Sequence, residues 1–308
     1  MKKFIGYTLV ALFAFAVLLL GSTARAASPA GAFTTPEEAL KALADVIETP
    51  DEARSEAMFG KNWRKLLSSG DKVADREDAL KTRVMILEKV AFADADGGRK
   101  VALLGDDGWP FTIPLVKEGD LWRFDVAAGT EELLNRRVGR NELLTLATIH
   151  AYVDAQREYH EAGRDGNPPA YARKLWSDAG LHNGLYWASA PGEPQSPMGE
   201  FIAEAAGEGY RKEHELVREP YHGYLFRTLT AQGKSAPGGE KSYLDAKGLM
   251  TKGFGVIAWP AIYGKAGVMT FIVNQQGIVF QKDLGAQTEQ AAAITVYDPD
   301  DTWDPTGD

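Results

Sequence analysis

The sequence predicts an α+β protein in two parts. N-terminal helices carry an antiparallel meander, and a long buried helix then packs on a four-stranded antiparallel sheet. Three observations support this. Ala39, Leu40, Leu43, Ala44 and Ile47 recur at helical spacing. Short aromatic and β-branched runs closed by turn formers occur twice, over 84–126 and over 221–285. Between them, Leu143, Leu144, Leu146, Ala147, Ile149, Tyr152, Val153 and Ala155 occupy nearly the whole circumference of one helix, and a helix apolar all round is a buried one.

Thr34 or Thr35 caps the first helix, with Pro36 at its first position and Glu37 and Glu38 in the first turn. Pro50 ends it, and Asp51 starts another that leads to the apolar anchors Phe59, Trp63, Leu66 and Leu67. The charged stretch Asp75–Lys81 reads as a helix running into strands at 84–92, 100–104, 109–116 and 121–126, separated by DADGG, GDDG and KEGD. A short helix ends near Arg137, and Asn141 caps a longer one to about Ala162, whose polar second half, Gln156 to His160, should project. Residues 163–220 are loop-dominated around a helix from Met198 to Glu208. Strands follow at 224–230, 254–259, 269–273 and 278–282. A flexible insert separates the first two, and Asn274–Gly277 makes a hairpin between the last two. A short helix at 288–294 and a solvated acidic tail complete the chain. The expected division is therefore a signal peptide at 1–26, a flexible lead at 27–33 and an N-terminal α+β domain at 34–127. A connecting helix at 128–140, a helix-on-sheet domain at 141–297 and a tail at 298–308 follow.

Lys2 and Lys3 precede an apolar run from Phe4 to Leu20, and Ala24-Arg25-Ala26 offers small residues to a signal peptidase. The run falls short of the ~20 residues a spanning helix needs. Cleavage after Ala26 predicts a periplasmic or secreted protein with no stable membrane span. The alternative is a retained helix: Gly6-Tyr7-Thr8-Leu9-Val10 resembles the start of a type IV pilin, although Ala11 stands where that family usually carries Glu. The chain holds 34 basic against 43 acidic side chains, and loss of Lys2, Lys3 and Arg25 makes it more acidic still. Such a balance argues against a nucleic-acid partner and against docking on anionic lipid through charge. With no cysteine there is no disulfide staple, so stability rests on core burial.

Several long phrases carry a family resemblance: DDGWPFTIPLV (106–116), WRFDVAAGTEELLNRRVGRNEL (122–143), GEPQSPMG (192–199), PYHGYLFRTLTAQG (220–233) and WPAIYGKAGVMTFIVNQQGIVFQKDLG (259–285). They resemble the bacterial exported proteins grouped as domain-of-unknown-function family 2950, over nearly all of residues 33–304. Relatives often carry an acidic, calcium-loop-like DxDGDG, where this chain has Gly163-Arg164-Asp165-Gly166-Asn167-Pro168. The resemblance therefore implies no metal role here. The phrase GDLWRFDVAAG (119–129) is similar to the last strand of cone-shaped domains related to nuclear transport factor 2. The order of helix, loops and GY-x-F strands is similar to the globular heads of type IV pilins, a statement about shape and not activity.

The chemistry is sparse. No GxSxG elbow is present, and Ser196 sits between two prolines. The five histidines (His150, His160, His182, His214 and His222) form no HExxH. Asp94-Ala95-Asp96-Gly97 is too short for a calcium loop, and no cofactor motif appears. Paired carboxylates cannot be judged from residue order, because their roles depend on separation in space. Arg136, Arg137 and Arg140 can clamp an anion or pair with Glu131, Glu132 and Glu142 at helical spacing. Tyr186-Trp187 and Tyr221-His222 either form a surface site for a glycan or an envelope protein, or fill the core beneath long loops.

The expected function is a non-enzymatic binding or assembly module of the periplasm or envelope. Its candidate contact residues are Tyr186, Trp187, Tyr221, His222, Arg136 and Arg140. Two alternatives stay open: a hydrolase of envelope material using paired carboxylates, and a small-ligand carrier with a pocket in the N-terminal domain.

Overall fold

The computed structural model describes residues 30–163, 166, 168–189, 192–207, 210 and 220–307. The expected signal segment at 1–26, Arg164, Asp165 and Asn167 of the loop motif, and His214 lie outside the described residues.

Four helices open the fold: α1 (Pro36–Glu48), α2 (Glu52–Phe59), α3 (Trp63–Leu67) and α4 (Lys72–Glu88). Thr35 caps α1 through its hydroxyl, and Asp51 caps α2 through its carboxylate. The strands β1 (Val90–Ala95), β2 (Arg99–Leu104), β3 (Trp109–Pro110), β4 (Leu115–Glu118) and β5 (Leu121–Phe124) form an antiparallel sheet in the order β1-β2-β4-β5, with β3 also pairing β2. Two expectations change here. Val84–Leu87 belongs to α4: Ile86 is buried against the core, whereas Val84 and Leu87 face outward on helical spacing. The 109–116 strand is split, because Pro110 and Pro114 lack the amide a ladder needs.

Leu40, Leu43, Phe59, Leu104, Ile113 and Phe124 fill the interior between helices and sheet, each worth about 1.5–3 kcal/mol of burial. The two cavities described below are lined from the C-terminal part.

The connecting helix and the central helix are one element, α5 (Val126–Ala162), 37 residues long. The expected break between Arg137 and Asn141 does not occur, and Gly139 lies inside the helix. A glycine inside a helix costs about 1 kcal/mol, and the anchors on either side outweigh it. Arg137 donates to the Leu67 carbonyl at 2.8 Å, and Arg140 forks onto both oxygens of Asp78. Asn141 caps nothing; its amide donates to Ala266 O at 2.8 Å. Glu142 accepts from the Val268 and Met269 amides at 2.9 and 3.0 Å. The helix thus ties the N-terminal part to the C-terminal sheet. It is not buried all round, since Leu143 is 69 % exposed.

The remaining elements are α6 (Gly199–Gly207), β6 (Tyr224–Leu229), β7 (Ala231–Gln232), β8 (Lys241–Ser242), β9 (Gly255–Pro260), β10 (Met269–Asn274), β11 (Phe280–Asp283) and β12 (Asp304–Pro305). The sheet runs β12-β11-β10-β9-β6, so it has five strands where four were expected. The acidic tail supplies the fifth: Pro305 pairs Phe280, and Thr306 N donates to Val279 O at 2.9 Å. Alternation then separates two faces. Tyr224, Val256, Ala258, Phe271 and Val273 meet α5, while Leu229, Ile257 and Ile272 meet the 3-10 segment Gly285–Ala293 and Tyr297. The insert between β6 and β9 is packed and not loose, for Tyr243 and Met250 are fully buried in it.

Candidate functional site

Gln156 organises the site. Expected to project, it is fully buried. Ala172 N donates to its Oε1, and its Nε2 donates to Ala172 O and to the Tyr152 hydroxyl, all at 2.8 Å. One side chain therefore holds the extended segment 170–176 against α5. The same segment is fixed on its other side, where Tyr171 N donates to Met250 O at 2.8 Å and Arg173 donates to Gly248 O at 3.2 Å. Tyr186 completes a bridge, donating through its amide to Leu175 O at 2.7 Å.

Between this segment, α5, α6 and β6 lies a cavity of about 530 Å³, within the range of roughly 300–1,000 Å³ usual for ligand pockets. Tyr152 enters from α5, Leu175 and Trp176 from the clamped segment, Met198 from the residue before α6, and Phe201 and Ile202 from α6. Tyr221, Phe226 and Thr228 close the remaining wall. Burial pushes the Tyr152 hydroxyl up from the ordinary tyrosine range, so it stays a neutral hydrogen-bonding group. Arg227 also borders this space, but its guanidinium turns to the other face of the sheet. There it donates to Ile294 O and lies 5.6 Å from the Trp259 ring.

A second cavity of about 520 Å³ shares Arg173 and Lys174 with the first and is bounded further by Tyr159, Tyr171, Asn183, Lys247 and Met250. Lys174 pairs with Asp178 at 2.6 Å.

The residues singled out from sequence do not assemble into one site. Tyr221 lines the first cavity, with its ring 5.4 Å from Phe201. Tyr186 stands behind that wall, edge-on to Trp176 at 4.7 Å. Trp187 fills the core, its indole donating to Pro194 O at 3.1 Å. His222 is buried at the junction of the two parts. Its amide donates to the Tyr210 hydroxyl, which donates in turn to Asp71 Oδ2 at 2.7 Å. Burial holds the His222 imidazole below the usual histidine range, opposed by the charges of Asp71 and Glu77. Arg136 pairs with Glu132 and donates to Pro110 O, and Arg140 pairs with Asp78, not Glu142. Both therefore serve the N-terminal part.

Sequence reasoning missed Tyr152, Phe201 and Phe226, and the cations Arg173, Lys174 and Lys247. The available signal was the even-numbered register of the aromatic strand, Tyr224, Phe226 and Thr228, together with the apolar side of α6. Neither says which segments meet. Among the described residues no group of three or more His, Asp or Glu is placed to hold a metal ion, and no helix is long and apolar enough to cross a membrane.

These features define an α+β protein whose long helix, laid on an antiparallel sheet, carries a ligand-sized cavity. A family model described as a protein of unknown function (DUF2950) matches residues 30–306, and the chain belongs to that family. Comparison with curated proteins and with solved structures returns no match.

Proposed function

We propose that the protein is an exported binding module of the cell envelope, without enzymatic activity, that holds its ligand in the cavity between α5, α6 and β6. The observation that carries this reading is the wall of Tyr152, Trp176, Phe201, Tyr221 and Phe226 around about 530 Å³. Rings on a clamped frame offer a preorganised apolar surface to a small molecule or to the apolar group of a larger envelope component, protein or glycan. Export is supported by the basic start, the apolar run from Phe4 to Leu20 and the Ala24-Arg25-Ala26 site. The helix-on-sheet arrangement also suits the pilin-like reading, in which such a head joins an assembly.

The test is a titration with the neutral fluorophore N-phenyl-1-naphthylamine. Saturable binding is expected in the wild type and is lost in Thr228→Trp, which places an indole in the cavity. Absence of binding, or equal binding by the filled variant, overturns the reading. N-terminal sequencing of the chain from a periplasmic fraction checks the location: Ala27 supports cleavage and export, whereas Tyr7 supports the retained pilin-like helix.

A further inference from the structure

We propose that the two cavities form one composite site for an acidic amphiphile, its apolar body among the rings and its anionic head between Arg173 and Lys247. This rests on the binding role proposed above and names the ligand class. Three observations support it.

The cavities are adjacent, for Arg173 and Lys174 line both. Their chemistry differs sharply. The first is mostly aromatic and aliphatic, and the cations at its border are accompanied by Asp178. The second gathers Arg173, Lys174 and Lys247 and has no Asp or Glu among its described lining residues. On a chain of net charge −9, three cations around one concavity form a local reversal of the field.

The cations differ in what they already hold. Lys174 is neutralised by Asp178. Among the described residues, neither Arg173 nor Lys247 stands in a salt bridge, and Arg173 keeps donors beyond the one it gives to Gly248 O. A guanidinium with free donors beside an ammonium suits a carboxylate or phosphate oxygen.

Both cations also spring from anchored backbone. Arg173 follows the clamped Ala172, and Lys247 sits in a turn whose Asp245 carboxylate accepts from the Lys247 and Leu249 amides at 2.8 and 2.9 Å. The Tyr171–Met250 bridge joins the two loops, so the backbone positions that carry the two cations are fixed relative to each other.

The experiment compares two probes of one ring system, 8-anilino-1-naphthalenesulfonate and the neutral N-phenyl-1-naphthylamine, on the whole chain. The sulfonate is expected to bind about tenfold or more tighter, the ratio one charge-assisted contact supplies. Arg173→Gln with Lys247→Gln should bring the two affinities together, and Arg173→Lys with Lys247→Arg should restore the gap. Dodecanoate and dodecyl phosphate, each set against dodecanol as a competitor, separate a carboxylate head from a phosphate head. Equal affinity of the two probes in the wild type, or a gap surviving the double Gln variant, overturns the acidic-head inference and leaves the binding role standing. Failure of both probes to bind overturns the binding role itself.

Discussion

Gln156 and Ala172 are joined like neighbouring strands, the side-chain amide of one meeting both backbone groups of the other at 2.8 Å. No water replaces a lost partner cheaply in a fully buried position. Gln156→Leu keeps the volume and removes the pairing, leaving the Ala172 amide and carbonyl unsatisfied. A loss of about 2–4 kcal/mol in urea unfolding is expected, with weaker binding of the anilinonaphthalene probes as segment 170–176 loosens. An unchanged unfolding midpoint would show that the clamp contributes nothing.

Asp71 plays a comparable part at the junction. Its Oδ1 caps α4 by accepting from the Val73 and Ala74 amides, and its Oδ2 accepts from the Tyr210 hydroxyl and the Gly223 amide. Asp71→Ala removes both functions, and a cost of about 2–4 kcal/mol follows from one lost cap plus buried donors without partners. Denaturant unfolding checks it, and stability equal to wild type counts against the junction as drawn.

The buried His222 sets a pH dependence. Burial holds its folded-state value below the unfolded one, so the unfolded chain binds more protons as the imidazole titrates. Its contribution is therefore complete above the unfolded value near pH 6.5 and is lost as pH falls from there through the folded value. Asp71 and Glu77 face it and oppose the shift, while Arg140 and Lys81 reinforce it. His222 has a φ of 47°, which Asn tolerates. Between about pH 7.5 and about pH 5.5 the wild type should lose more stability than His222→Asn. Parallel curves for the two proteins would rule this out.

Gly267 is required by Tyr224. A Cβ at 267 would overlap the Tyr224 hydroxyl and ring, which are fixed by the bond to Met269 O at 3.0 Å. Gly267→Ala should cost about 2–3 kcal/mol through overpacking. Adding Tyr224→Phe should recover part of that loss, since the two changes share one space. Additive costs in the double variant would show that the clash is not the cause.

The residue pattern alone determined the α+β class, most strand positions and the first helix. Those follow from local periodicity, caps and turn formers such as Thr35 and Gly277, which act within a few residues. Of the cavity it disclosed only Tyr221 directly, with Tyr186 one ring behind. Tertiary structure decided that α5 runs through Gly139, because Arg137 and Asn141 find partners 70 and 125 residues away in either part. It also decided that Gln156 is buried, that the tail closes the sheet, and that Arg173 meets Lys247 across a shared hollow. The physical reason is common to all four. Burial and pairing are properties of two surfaces in contact, and a chain read in order displays only one of them at a time.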